Sequence, residues 1–248
     1  MIELKGVCKS YQSFKAVNHL DLEVPAGTVF GFLGPNGAGK TTTIRMLTGI
    51  LEPDEGSIEV FGYNFKNGRN DILNRMGYVP DRPFLYGKLT AMELLRFLGS
   101  LRGMDGAFTK KRGLELLEQF KLGEFANQLV ERLSHGMRQK LVLSAALLHD
   151  PELLIVDEPM VGLDPRAAKQ VKELIRTFAA SGKTVFMSTH TLEVAAALCD
   201  RVGIIHKGEL VTNETISELT RRLEMKDGDL EAVFMALTKE LEDEAIPL

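Results

Sequence analysis

The sequence predicts an α/β protein with a mixed, largely parallel sheet, an antiparallel β flank at its N-terminal end and a helical sub-lobe inserted in the core. Three observations lead there. Short aliphatic runs, such as residues 153–156, alternate with helical patterns, as in parallel sheets covered on both faces. The first 24 residues instead carry partly alternating apolar positions, which suit an antiparallel sheet. Between Thr90 and His149 the texture is almost entirely helical.

The flank is expected over residues 2–10 and 17–24. Residues 28–33 read as a buried strand, followed by a glycine-rich loop and a helix over 40–50. Strands continue at 56–61 and 77–79. Thr90-Ala-Met-Glu93 is a capping box, in which each side chain accepts an N–H of the first turn, and it opens a helix to Leu101. Amphipathic helices over 110–120 and 136–149 complete a sub-lobe at about 88–150. The sheet resumes at 153–156, 184–188 and 202–206. One domain over 1–212 is expected, then a C-terminal helical extension over 213–248. There Asp229 caps a helix with Val233, Phe234, Leu237 and Leu241 on one face.

The chain has 248 residues, 44% hydrophobic and 26% charged, enough to bury an independent core. No apolar run approaches the ~20 residues that span a bilayer. No export signal is visible at the N-terminus. Cys8 and Cys199 form neither a disulfide framework nor a ligand cluster by spacing, which fits a reducing cytoplasm. A net charge of −4 leaves no electrostatic footprint for nucleic acid. The run Lys110-Lys111-Arg112 reads as a solvated helix face, the alternative being contact with acidic lipid headgroups or a partner.

The chemistry is concentrated in three places. Gly34-Pro35-Asn36-Gly37-Ala38-Gly39-Lys40-Thr41 is a phosphate-cradling loop, strand before it and helix after it. Its glycines turn backbone N–H groups inward, the helix adds its positive end, Lys40 reaches the outer phosphates and Thr41 ligates magnesium. Thr42 stands next in the same helix start. Asp157 and Glu158 follow the aliphatic strand, where ligands of open parallel sheets sit. Asp157 is placed to hold magnesium directly or through water, and Glu158 to orient and deprotonate an attacking water. The alternative for this pair is two solvated acids at a turn. His190 follows another strand in the same way and can hydrogen-bond the terminal phosphate, or it can be structural. His19, His149 and His206 have no such context and read as structural.

With Leu133-Ser134-His135-Gly136-Met137-Arg138-Gln139 the constellation resembles the ATP-binding cassette (ABC) family, whose signature is commonly LSGGQ. The order of phosphate loop, signature, acidic strand end, Gly162-Leu163-Asp164-Pro165 and His190 resembles that family over about residues 1–210. The resemblance implies a P-loop NTPase core in which ATP is sandwiched between two cassettes. Ser134 and Gly136 of one chain then face the phosphate loop of the other. It also implies that Tyr11 stacks on adenine and that Asp164 lies in the loop linking the two composite sites. Asp81 stands where the family usually has a glutamine, and by resemblance contacts magnesium and nucleotide with a shorter, charged side chain. His135 replaces a glycine and has a more restricted φ, and Met137 replaces a glutamine.

The segments 81–86, 134–139 and 229–238 further resemble the separate ATPase subunits of bacterial ABC-2-type exporters. The expected function is therefore an ATP- and magnesium-dependent ATPase that dimerises, a homodimer by expectation. It would power movement, export by that subfamily's resemblance, through separate integral membrane permease subunits, which would hold this cytoplasmic chain on the inner face of the cell membrane. Two alternatives remain at this point. A soluble ABC protein of translation or repair is one, though this chain has no internal repeat and no long coiled coil. A regulator that binds nucleotide and barely hydrolyses it is the other.

Overall fold

The computed structural model describes residues 1–222. A three-stranded antiparallel sheet is formed by β1 (Ile2–Tyr11), β2 (Phe14–Val24) and β4 (Glu55–Val60), with β1 in the middle. A six-stranded sheet runs β5 (Met76–Val79), β6 (Leu153–Asp157), β7 (Thr184–Thr189), β3 (Val29–Leu33), β8 (Arg201–His206) and β9 (Glu209–Thr215). All its pairings are parallel except β8 with β9. The predicted strand at 56–61 thus belongs to the flank, antiparallel to β1.

Period-2 alternation explains why the central strands are apolar throughout. Phe30, Phe32, Leu153, Ile155 and Phe186 point into a core shared with the antiparallel flank, where Ile2, Leu4, Val17 and Leu20 meet them. Phe186 stacks on Phe30 with ring centroids 5.5 Å apart. Val29, Leu33, Leu154, Val156 and Met187 point the other way, into a core shared with the helices.

Helix α1 (Lys40–Leu47) follows the glycine loop and is shorter than the predicted 40–50, because the chain turns at Gly49 with φ 67°. A short α2 (Arg69–Asn74) precedes β5. The helical region contains α3 (Ala91–Leu101), α4 (Gly106–Gln119) and α5 (His135–Leu147). Thr90 and Glu93 make the predicted capping box. Asp105 caps α4, so that helix begins four residues before the predicted start.

The longest helix among the described residues, α6 (Pro165–Ala180), was not anticipated. Asp164 caps it by accepting from Arg166 N–H and Ala167 N–H, and Pro165 sits at its first position. Its buried stripe of Ala167, Val171, Leu174, Ile175 and Phe178 carried the signal. Helix α7 (Leu192–Leu198) was also missed, while α8 (Ile216–Arg222) falls within the expected helical extension. Strand β9 runs across the expected boundary at 212/213 and pairs Asn213 with Gly203. The helix expected after Asp229 lies outside the described residues.

His149 follows α5, and its Nε2 donates to Met76 O at 2.9 Å, tying the helical region to the edge strand β5. Burial, then the nearby Arg102 cation, hold its pKa down at about 4 against an ordinary 6.5. The unfolded chain therefore takes up this proton near the ordinary value and the folded chain only near the depressed one. The stabilisation is whole above the first and is lost as pH falls through the second. We predict that urea unfolding between about pH 7.5 and about pH 4.5 costs the wild type roughly 2 kcal/mol more than His149→Gln. Equal losses in both proteins would contradict this.

Candidate functional site

Register explains why the predicted groups converge. Leu33 pairs with Thr189 across β3 and β7, and Asp157 pairs with Ser188 across β6 and β7. Three neighbouring parallel strands therefore end level, so Gly34, Glu158 and His190 leave the sheet at one edge.

The loop after β3 is shaped by contacts only glycine permits. A Cβ at Gly34 would collide with Ile205 O, and one at Gly39 with Ala16 O. Gly37 and Gly39 have φ of 82° and 109°. Ala38 is buried beneath, and Gly208 N–H donates to its carbonyl at 3.0 Å. Gly39 is the N-cap of α1 and supplies no side chain, so the first N–H groups of the helix have no side-chain cap. Lys40 is buried, and its Nζ donates to Gly34 O at 2.7 Å and Pro35 O at 3.1 Å. Burial pushes the Lys40 pKa down, while Glu158 and Asp157 pull it back up.

Glu158 sits between two partners. Its Oε1 lies 3.7 Å from Lys40 Nζ and 3.0 Å from His190 Nδ1. Its φ is 50°, unusual for a non-glycine residue, and Ser188 Oγ accepts its N–H at 3.0 Å. The same Ser188 hydroxyl donates to Asp157 Oδ1. Ser188 thus holds both acids in place, a role the sequence reading did not give it.

Asp157 is 1% exposed and has no ion-pair partner among the described residues. Burial pushes its carboxyl pKa up, opposed by hydrogen bonds from the Ser188 and Thr41 hydroxyls. A buried carboxylate without a cation, beside a hydroxyl that opens to solvent, is a donor set suited to a hard divalent ion. Thr41, Asp157 and the nearby Asp81 therefore fit magnesium.

A groove of about 270 Å³ brings together Asn36, Gly37, Lys40, Thr41 and Thr42 with Asp81, Glu158 and Tyr11. Tyr11 ends β1, paired with Phe14 across a two-residue turn. Both rings line the groove, Tyr11 45% exposed and Phe14 60%. Phe14 was missed because only the hairpin register places it beside Tyr11.

Ser134 and Gly136 do not reach this groove within the chain. Ser134 is the N-cap of α5 and accepts from Met137 N–H at 3.3 Å. His135 is the first residue of that helix and lacks the positive φ that would have called for glycine. Its ring lies over Gly162, with Nε2 3.1 Å from where a Cβ there would stand. A Cβ on Gly136 would meet only Asp164 Oδ2 and Ala167 Cβ at 3.9 Å. Among the described residues no contact requires a glycine at 135 or 136.

The ABC transporter family matches residues 17–161. The chain is 43% identical to the bacitracin transport ATP-binding protein BcrA of Bacillus licheniformis, over 90% of this chain and 72% of that one. It is 40% identical to the daunorubicin/doxorubicin resistance ATP-binding protein DrrA of Streptomyces peucetius, over 90% and 67%. Among solved structures, an ATP-binding subunit of an ABC transporter superposes with a TM-score of 0.89 at 32% identity, covering 96% of this chain and 99% of that one. A dimeric ATP-binding cassette in a post-hydrolysis state with ADP and Pi superposes with 0.79 at 26% identity, covering 87% and 98%.

Ser188→Ala leaves the buried Asp157 short of a donor and orphans the Glu158 N–H. The expected loss in denaturant unfolding is about 1–3 kcal/mol. A loss under about 0.5 kcal/mol would show that Ser188 does not hold the acids.

Proposed function

The chain belongs to the ABC transporter ATP-binding family, and from that membership we propose which of its residues bind ATP, which hydrolyse it and what the work is coupled to. It is an ATPase subunit of the kind that dimerises around ATP to drive transport. The observation that carries the residue assignment is the position of Glu158, within reach of both Lys40 and His190 beside the phosphate loop.

Tyr11 and Phe14 stack on the adenine of ATP. The N–H groups of residues 36–42 and the Lys40 ammonium take its phosphates, Lys40 turning from the Gly34 and Pro35 carbonyls to phosphate oxygens. Thr41 and Asp157, with Asp81, hold magnesium, which neutralises charge on the outer phosphates. Glu158 orients a water and takes its proton as the water oxygen attacks the terminal phosphorus and the bond to the leaving ADP oxygen breaks. His190, whose Nδ1 faces Glu158, keeps that carboxylate aimed and reaches the terminal phosphate with its other edge. Ser134 and Gly136 of a second copy close the site from the opposite side.

Residues 1–215, through β9, act as the ATPase unit with the sub-lobe at about 88–150 inserted. No helix among the described residues is long and apolar enough to cross a membrane. We assign the pathway to separate permease subunits, with this chain peripheral on the cytoplasmic face. A groove of about 420 Å³ between core and sub-lobe supports that docking: Ile50, Leu85 and Leu98 line it beside Phe84, which is 87% exposed. It adjoins the Asp81 segment, so nucleotide and permease share one loop. The relatives named for bacitracin transport and for drug resistance support export as the direction.

Glu158→Gln is expected to keep ATP binding while lowering turnover at least about 100-fold, and to accumulate as an ATP-bound dimer in size-exclusion chromatography. Lys40→Ala is expected to lose ATP binding itself. Undiminished turnover in the first variant, or unchanged affinity in the second, would overturn these roles.

A further inference from the structure

The antiparallel flank carries a cluster of ligand atoms outside the groove's lining. Cys8 on β1, His19 on β2 and Glu55 on β4 come from its three strands, and their ligand atoms all lie within 4.8 Å of one another. We propose that Cys8, His19 and Glu55 form a binding site for a borderline-soft divalent cation, zinc, that clips the three strands together.

The backbone builds this convergence. Val7 pairs with Leu20 and Lys9 with Val17, so Asn18 and His19 together oppose Cys8 in a β-bulge. His19 sits at φ 44°, a left-handed value rare for a non-glycine residue, and this turns its ring toward the neighbouring strand. On the other side Cys8 pairs directly with Glu55, again next to a register shift. Both irregularities flank the cysteine.

The chemistry is selective. Cys8 Sγ lies 3.5 Å from His19 Nδ1. Tetrahedral zinc, with bonds of about 2.3 Å to sulfur and about 2.0–2.1 Å to nitrogen, separates those two atoms by about 3.6 Å. The His19 N–H also donates to the same sulfur at 3.3 Å, which fixes the sulfur beside the imidazole's own strand. Sulfur, imidazole and carboxylate together suit zinc and not magnesium or calcium. On binding, the Cys8 thiol gives its proton to solvent and the zinc–sulfur bond forms. Cys8 is 3% exposed while His19 and Glu55 are exposed, so the sulfur is shielded and the fourth position opens to water. Tyr11 and Phe14 lie at the end of the same two strands, and Asp54 N–H bonds to Cys8 O while its carboxylate takes Ser10 N–H. The clip therefore steadies the hairpin that closes the adenine end of the groove.

The test uses the full-length chain, reduced and stripped of metal, with zinc alone and with cobalt as a coloured substitute. Zinc should bind in competition with a chromophoric chelator and raise the thermal midpoint. Cobalt should give a thiolate-to-metal charge-transfer band. Cys8→Ser should abolish the band, His19→Asn (which tolerates the same φ) and Glu55→Gln should weaken zinc binding, and Cys199→Ser should change nothing. Absence of the band in the wild type, its persistence in Cys8→Ser, or undiminished zinc binding in His19→Asn would overturn the site. If Cys8→Ser does not fold, the exposed His19→Asn still decides.

Discussion

The parallel register of β3, β6 and β7 is the constraint on which the rest of the molecule depends. Because Leu33 is level with Thr189 and Asp157 with Ser188, three loops leave the sheet side by side. A slip of one residue in β6 would turn Leu153 and Ile155 out of the core they share with Phe186, as well as moving Asp157 from Ser188. Packing therefore fixes the chemistry: the alternation that buries both faces of the sheet is the same alternation that aims the acids.

At that edge the chain holds charges where water is scarce. Asp157 and Lys40 are buried, and Glu158 bridges Lys40 to His190. Buried charges are tolerated when hydrogen bonds satisfy them, which is the work of Ser188, Thr41 and the Gly34 and Pro35 carbonyls. A phosphate tail and its cation would replace these internal partners with better ones. The left-handed Glu158 and the colliding positions at Gly34 and Gly39 show the same thing in the backbone: local preference yields to the geometry of the site.

Much of this was legible in the residues because the signals are local. The loop at 34–41, the Thr90–Glu93 box and the aliphatic run before Asp157 each state their conformation within a few residues. Long-range relations were not legible. Helix α6 was hidden behind the Asp164–Pro165 motif, whose cap and first-turn proline were read as a loop. Strand β9, with exposed and half-buried positions, lacks the apolar run that marked the central strands. Phe14 and the Cys8–His19–Glu55 triad depend on strand register and bulges, which spacing alone does not reveal.

Among the described residues Ser134 and Gly136 start α5, and sterics there do not demand the glycine. The role proposed for them lies across a dimer, where each phosphate loop would meet the α5 start of the other copy. Mixing two inactive variants measures this most directly. Lys40→Ala disables the loop and Ser134→Arg the opposing helix start, so a mixed dimer has one doubly defective site and one intact site. With half the dimers mixed, ATPase turnover should recover to about a quarter of wild type. A mixture as inactive as its two parents would contradict the composite site.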